Sequence, residues 1–215
     1  MEELREGRLS IFVDGPASDY GNNIYLVIDR ETNEAAFIDA PGEPERGIAM
    51  AESSGVRPAK VLLTHSHPDH TAGLEAINKA FDCRLYADAR EPWLPSSGAD
   101  VFVEDGQEIH IGKLRLTVHS VPGHTPGSTT FALEGHAFVG DTLFPGGPGR
   151  SGSAEDLQEE LRSITGVLYE LPDETVIWPG HGDKTTIGAS KQEYALFASK
   201  SHDSGLHGDV TWDMN

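Results

Sequence analysis

The chain has 215 residues and a formal net charge of -19, from 16 Lys and Arg against 35 Asp and Glu, with 37% apolar residues and a single cysteine, Cys83. This acidity argues against a nucleic-acid surface, which needs clustered basic side chains, and a lone thiol offers neither an internal disulfide nor a thiolate metal cluster. There is no apolar run of about 18 residues and no basic start followed by an apolar stretch, so the sequence reads as one cytoplasmic domain over 1–215 with no membrane partner.

Strands open the chain. Ile24 to Ile28 is a buried-strand run, Asp29 to Glu34 a polar turn, and Ala35 to Asp39 the returning strand. Pro41-Gly42 breaks the pattern, and Pro44 to Ser54 reads as a short helix closed by Gly55. Lys60 to Leu63 is the next strand, followed by a helix predicted over Thr71 to Phe81 with Leu74, Ile77 and Phe81 on one face. Arg84 to Ala87 is a short strand, and Pro92 to Gly98 an irregular loop. Ile109 to Ile111 and Leu114 to Ser120 pair across Gly112-Lys113, and Thr129 to Leu133 and Ala137 to Val139 pair across Glu134-Gly135. Ala154 to Glu170 is the longest helix candidate, with Ser153 as its N-cap. Thr175 to Trp178 is the last strand and Thr186 to Phe197 the last helix, and 199–215 is a polar C-terminal tail, expected to be loosely ordered. Two strand-rich halves punctuated by helices suggest an α+β fold in which two sheets pack face to face with helices outside.

The chemistry concentrates in Thr64-His65-Ser66-His67-Pro68-Asp69-His70, directly after an apolar strand. Three imidazoles and a carboxylate this close are costly to bury unpartnered, and a divalent metal suits that donor set. Further candidates end strands at glycine-rich breaks: Asp39, His124 in Pro122-Gly123-His124-Thr125-Pro126-Gly127, Asp141 after Gly140, and His181 between Gly180 and Gly182. His110, His119, His136, His202 and His207 lack such settings and read as structural or surface residues.

These motifs, in this order, resemble those of the metallo-β-lactamase superfamily. Residues 65–70 match its His-x-His-x-Asp-His motif, and Gly123 to Ser128, Gly140 to Phe144 and Pro179 to Gly182 look like its later metal motifs. Within that superfamily the chain is most similar to the short, single-domain, glyoxalase II-like hydrolases. The resemblance implies an αββα sandwich, with two mixed sheets flanked by helices and a dinuclear site on one edge. His65, His67 and His124 would hold one divalent ion, and Asp69, His70 and His181 a second, with Asp141 bridging them. Zinc is the first expectation, with iron or manganese as alternatives. Asp39 is expected to orient a ligand histidine or brace its loop.

Two metals acidify a shared water to hydroxide near neutral pH and polarise a carbonyl. Asp69 and Asp141 are the carboxylates assigned to this step, Asp69 steering the hydroxide. A thiolate of pKa about 8.5 leaves without a proton donor, whereas an alkoxide or amine usually needs one. The reading is therefore a thioesterase resembling hydroxyacylglutathione hydrolase, acting on a small molecule. A mononuclear-iron persulfide dioxygenase, using the residues matching His65, His124 and Asp141, and a lactonase are the alternatives. After His181 the only bases are Lys184, Lys191 and Lys200, so the basic glutathione contacts of full-length glyoxalase II enzymes are not expected. The loop Pro145 to Ser151 is the candidate substrate-facing element. In it, Arg150 is placed either to bind a carboxylate or to make a structural salt bridge. Phe144, Trp93 and Leu94 are candidates for an apolar wall, Tyr20 for a donor reaching in from a loop, and a homo-oligomer is left open.

Overall fold

Alternation along the strands decides the layers. The computed structural model describes residues 1–214. The first half contributes strands β1 (Glu2–Glu6), β2 (Leu9–Ala17), β3 (Asn22–Asp29) and β4 (Glu34–Ile38), helix α1 (Pro44–Ser53), and β5 (Lys60–Leu62). Helices α2 (Pro68–Thr71) and α3 (Leu74–Phe81) follow, then β6 (Arg84–Ala87) and β7 (Val101–Phe102). The second half contributes β8 (Glu108–Ile111), β9 (Leu114–Ser120), β10 (Thr129–Leu133), β11 (His136–Gly140), β12 (Leu143–Phe144) and β13 (Gly147–Pro148). It ends with α4 (Ala154–Gly166), β14 (Val176–Pro179), β15 (Thr185–Thr186) and α5 (Ile187–Ala198).

The first seven strands form one sheet in sequence order, and the second sheet runs β15-β14-β11-β10-β9-β8. On β3, Ile24, Leu26 and Ile28 face α1 and α3, where Met50, Ala51, Ile77 and Phe81 cover them. Tyr25 and Val27 point the other way, into the layer between the sheets with Leu116, Phe131 and Phe138. On β11 the pattern repeats. Phe138 joins that middle layer, and Ala137 and Val139 pack outward against Leu157 and Ile164 of α4 and Ile187 and Phe197 of α5. Three apolar layers between four structural layers make the αββα sandwich. Both sheets are mixed, because β4 pairs parallel with β5 and β11 parallel with β14, while their other neighbours include antiparallel partners. Parallel partners end on the same side, so the residues that follow these four strands emerge along one edge.

Three expectations change. The helix predicted over Thr71 to Phe81 is two helices, α2 and α3, broken at Ala72-Gly73. Gly73 donates its amide to the Ala40 carbonyl at 2.8 Å, and a Cβ at this position would collide with the Pro41 carbonyl. The segment Ala154 to Glu170 stops being α-helical at Gly166 and finishes as a 3-10 turn over Leu168–Glu170. The polar tail is not loose: Val210 and Trp212 are buried in the outer core against α5, and Gly208 exchanges backbone hydrogen bonds with Ser151. Hydrophobic periodicity missed this because the tail packs through a few scattered apolar side chains, Val210 and Trp212 with Leu206 and Met214 beside them, in an otherwise polar segment. No helix among the described residues is long and apolar enough to cross a membrane.

Trp212 is 2% exposed, so Trp212→Ala should cost about 3–5 kcal/mol of stability, as for large buried side chains generally. Chemical denaturation measures it, and a loss within about 0.5 kcal/mol, the range of an exposed position, would show that the tail is not part of the core.

Candidate metal centre

All seven sequence-predicted donors meet at one edge of the sandwich. His65, His67, Asp69 and His70 follow β5, with the last two on α2, while His124 follows β9, Asp141 follows β11 and His181 follows β14. Their donor atoms form three overlapping groups, each within 4.8 Å: His65, His67 and His124; His65, His70 and Asp141; and Asp69, His70 and His181. In the first group His124 Nε2 stands 3.0 Å from His67 Nδ1. In the last, His181 Nε2 is 3.2 Å from both His70 Nε2 and Asp69 Oδ2. Asp141 faces both sides, 3.3 Å from His70 and His181 and 3.8 Å from His124. Gly180 makes room for this approach, since a Cβ there would strike Asp141 Oδ1 and the His70 ring.

The outer nitrogens of four imidazoles are tied down. His70 Nδ1 donates to Asp39 Oδ2 at 2.8 Å, His124 Nδ1 to the Arg150 carbonyl at 3.0 Å, and His181 Nδ1 to the Tyr20 carbonyl at 3.0 Å. Thr64 gives its hydroxyl hydrogen to Asp39 at 2.8 Å and lies 3.1 Å from His65 Nδ1, so that ring donates to Thr64. Each contact takes up Nδ1 and turns Nε2 inward, the nitrogen a metal ligand would use once any proton on it is displaced. Asp39 thus contacts His70 directly and His65 through Thr64.

The electrostatics also call for a cation. Burial pushes His65 well below the ordinary imidazole value. Burial acts on His70 too, but Asp141 and Asp39 override it and hold this ring well above that value. Against the same burial penalty, Asp141 and Asp69 lift His181 to about 9. Burial alone would raise Asp141 and Asp69, yet the neighbouring imidazoles hold both carboxyls below their usual range. Protons on His70 and His181 therefore balance the carboxylates, a role divalent ions would fill. His65 Nε2 and Asp141 Oδ1 are buried without a hydrogen-bond partner, and such orphaned atoms need a reason. Imidazole and carboxylate donors suit zinc, iron or manganese, so the residues present fit the metals that the sequence implies.

Other expectations divide. Trp93 stands with its ring 5.0 Å from that of His67, and the Phe144 ring is 6.4 Å from that of His181, so both flank the centre. Leu94 does not, because it packs against the core under α1 and α3. Tyr20 contributes its carbonyl, and its side chain is exposed. Arg150 pairs with Asp209 at 3.2 Å on the surface while its carbonyl holds His124.

Two residues that the sequence did not mark prove important. Asn22 is buried and donates Nδ2 to Asp69 Oδ2 at 3.0 Å. Glu91 is buried and joins the two loops that carry the first donor group. It accepts from Ser66 N at 2.5 Å, from Gly127 N at 3.1 Å and from the Thr125 hydroxyl. Nothing in sequence separates Glu91 from the other acidic residues, since its role comes from partners far along the chain. Glu91→Ala would orphan those donors at about 1–3 kcal/mol each and weaken metal binding about 10–100-fold, as for other groups that brace ligands. Glu91→Gln keeps one acceptor and should recover part of the affinity. Unchanged metal affinity in Glu91→Ala would refute the bracing role.

The metallo-β-lactamase superfamily profile matches residues 17–181. The chain is 35% identical over 162 residues to a hydroxyacylglutathione hydrolase of Anaeromyxobacter dehalogenans, covering 75% of this chain and 62% of that protein. It therefore spans about three-fifths of that relative's length. An uncharacterized protein of Mycobacterium tuberculosis is 32% identical over 212 residues, covering 82% of this chain and 93% of that one. The crystal structure of ETHE1 from Myxococcus xanthus superposes with a TM-score of 0.77 at 31% identity, covering 88% of this chain and 86% of that one. The profile match spans all the donor residues, and the chain belongs to the metallo-β-lactamase superfamily.

Proposed function

We propose that the chain is a metal-dependent hydrolase that cleaves a thioester, with two divalent ions shared among seven side chains. The observation that carries this reading is the second donor group, Asp69, His70 and His181, beside the first, with Asp141 between them. In this assignment His65, His67 and His124 would hold one ion and Asp69, His70 and His181 the other, with Asp141 available to both. Bound there, the ions would supply Lewis acidity and a water acidified toward neutral pH.

The protein's own groups do the rest. Asp69, fixed by Asn22, is placed to accept a hydrogen bond from the attacking water and to aim it. Asp39 and the Arg150 and Tyr20 carbonyls keep the ligand imidazoles from rotating. A thiolate leaves without a proton donor, and the imidazoles here are committed to other contacts. Thioester cleavage asks least of this site, and the likeness to a hydroxyacylglutathione hydrolase supports it. The likeness to ETHE1 supports a second reading, a persulfide dioxygenase built on His65, His124 and Asp141 with one iron.

The two readings part in one assay. Metal-loaded enzyme should hydrolyse small acyl thioesters anaerobically, lose that activity to a chelator, and regain it on adding zinc. Asp141→Ala should lower it at least about 100-fold, as loss of a major charge-stabilising group does. Oxygen uptake on a persulfide, with one iron per chain and no thioester turnover, would overturn the hydrolase reading.

A further inference from the structure

The space around the metal centre constrains what can be bound there. A cavity of about 700 Å3 opens from His124 and Asp141, walled by Phe144, Pro145, Pro148, Leu196, Val210 and Trp212. A smaller one, of about 360 Å3, also touches His124 and lies beside His67 and Trp93. Arg150 lines both, so the two lobes form one cleft passing the donor groups. Leu196 is 65% exposed and Trp93 55% exposed, which places a large apolar side chain in each lobe without a protein partner covering it. Exposed apolar surface in a ligand-sized concavity is the usual mark of a binding site.

Charge narrows the class further. Apart from Asp141, the larger lobe carries Glu193, Asp209 and Asp213, while Arg150 is the one base in it. Arg150 is already engaged by Asp209 at 3.2 Å. The smaller lobe adds Asp156. The cleft is therefore apolar on its walls and acidic at its rim, with its guanidinium already paired. Away from the metal centre, the carboxylates of glutathione would face Glu193, Asp209 and Asp213, and the one guanidinium among the lining residues is already paired.

We propose that the substrate is a thioester with an apolar acyl chain, seated against Phe144, Leu196 and Trp212, and a leaving thiol that is uncharged or cationic. This rests on the thioesterase reading for its chemistry, while the binding preference rests on the cleft alone. In hydrolysis water's oxygen bonds to the acyl carbon and the carbon–sulfur bond breaks with its electron pair leaving on sulfur; one water proton ends on the thiolate and the other passes to solvent, giving a carboxylate and a thiol.

Non-hydrolysable S-hexyl thioethers of N-acetylcysteamine, thiocholine and glutathione test the cleft on the zinc-loaded enzyme. Calorimetry gives the affinities, and quenching of tryptophan fluorescence reports occupancy beside Trp93 and Trp212. The uncharged and cationic conjugates should bind at least about tenfold more tightly than the glutathione conjugate, and the S-ethyl analogue of N-acetylcysteamine at least about tenfold more weakly than the S-hexyl one, because it buries less apolar surface. Asp209→Asn with Asp213→Asn should narrow the gap to glutathione several-fold, and so should added salt. A glutathione conjugate that binds as well as the others, or affinity independent of chain length, would overturn the proposal. The matching hexanoyl thioesters are assayed in parallel. Binding in the expected order without any turnover would sink the thioesterase reading and leave the cleft assignment standing. Turnover without that order would do the reverse.

Discussion

Five imidazoles and two carboxylates converge within a few ångströms at one edge of the sandwich, and that concentration of donors and negative charge needs positive charge at its centre. Burial makes unpaired polar and ionic groups expensive. The protein meets this cost with His70 and His181, whose affinity for protons is raised by the carboxylates around them. The same carboxylates would favour a divalent ion more strongly, because it carries twice the charge and accepts several donors at once. Much of the surrounding architecture can be understood as holding these groups in place against their tendency to separate.

The scaffold does this through strand ends. β4 and β5 in one sheet and β11 and β14 in the other run parallel in pairs, so Asp39, the 64–70 segment, Asp141 and His181 emerge on a common side. Long-range ties then fix the loops. Asn23 donates its backbone amide to the Gly180 carbonyl at 2.8 Å across the two sheets, and Tyr25 donates its hydroxyl to the Pro179 carbonyl at 2.6 Å. Glu160, buried under the loop that carries Arg150, accepts from Gly149 N at 3.1 Å, and burial pushes its carboxyl up to about 9. A neutral carboxyl at that point supports the loop without adding another negative charge beside Asp141.

Legibility in the sequence followed how local each signal was. The donors were readable because each sits at a strand end in its own short motif, and residues 65–70 place four of them together. The strand at Ile24 to Ile28 was readable as a continuous apolar run, the pattern of a strand covered on both faces. The break at Gly73 was not, because it depends on the approach of the 40–41 backbone from outside the helix. Trp212 was hidden for a similar reason, as it and Val210 are the only buried apolar side chains in a polar tail and leave no period to detect among the described residues. Glu91 and Asn22 are defined entirely by partners distant in sequence. The cleft's character also emerged only in three dimensions, since its walls come from the β12–β13 hairpin, α5 and the tail.

The central claim is that these seven side chains form two metal positions sharing Asp141. Calorimetric titration of the metal-stripped chain with zinc near pH 7, repeated in buffers of different protonation enthalpy, tests it most directly. The carboxylates around His70 and His181 raise the proton affinity of both rings, so metal binding near pH 7 should release protons and strengthen as pH rises toward about 9, the value to which His181 is lifted. The account predicts two ions per chain with net proton release, and loss of one ion in His181→Ala. A single ion per chain, or two bound without proton release, would contradict it.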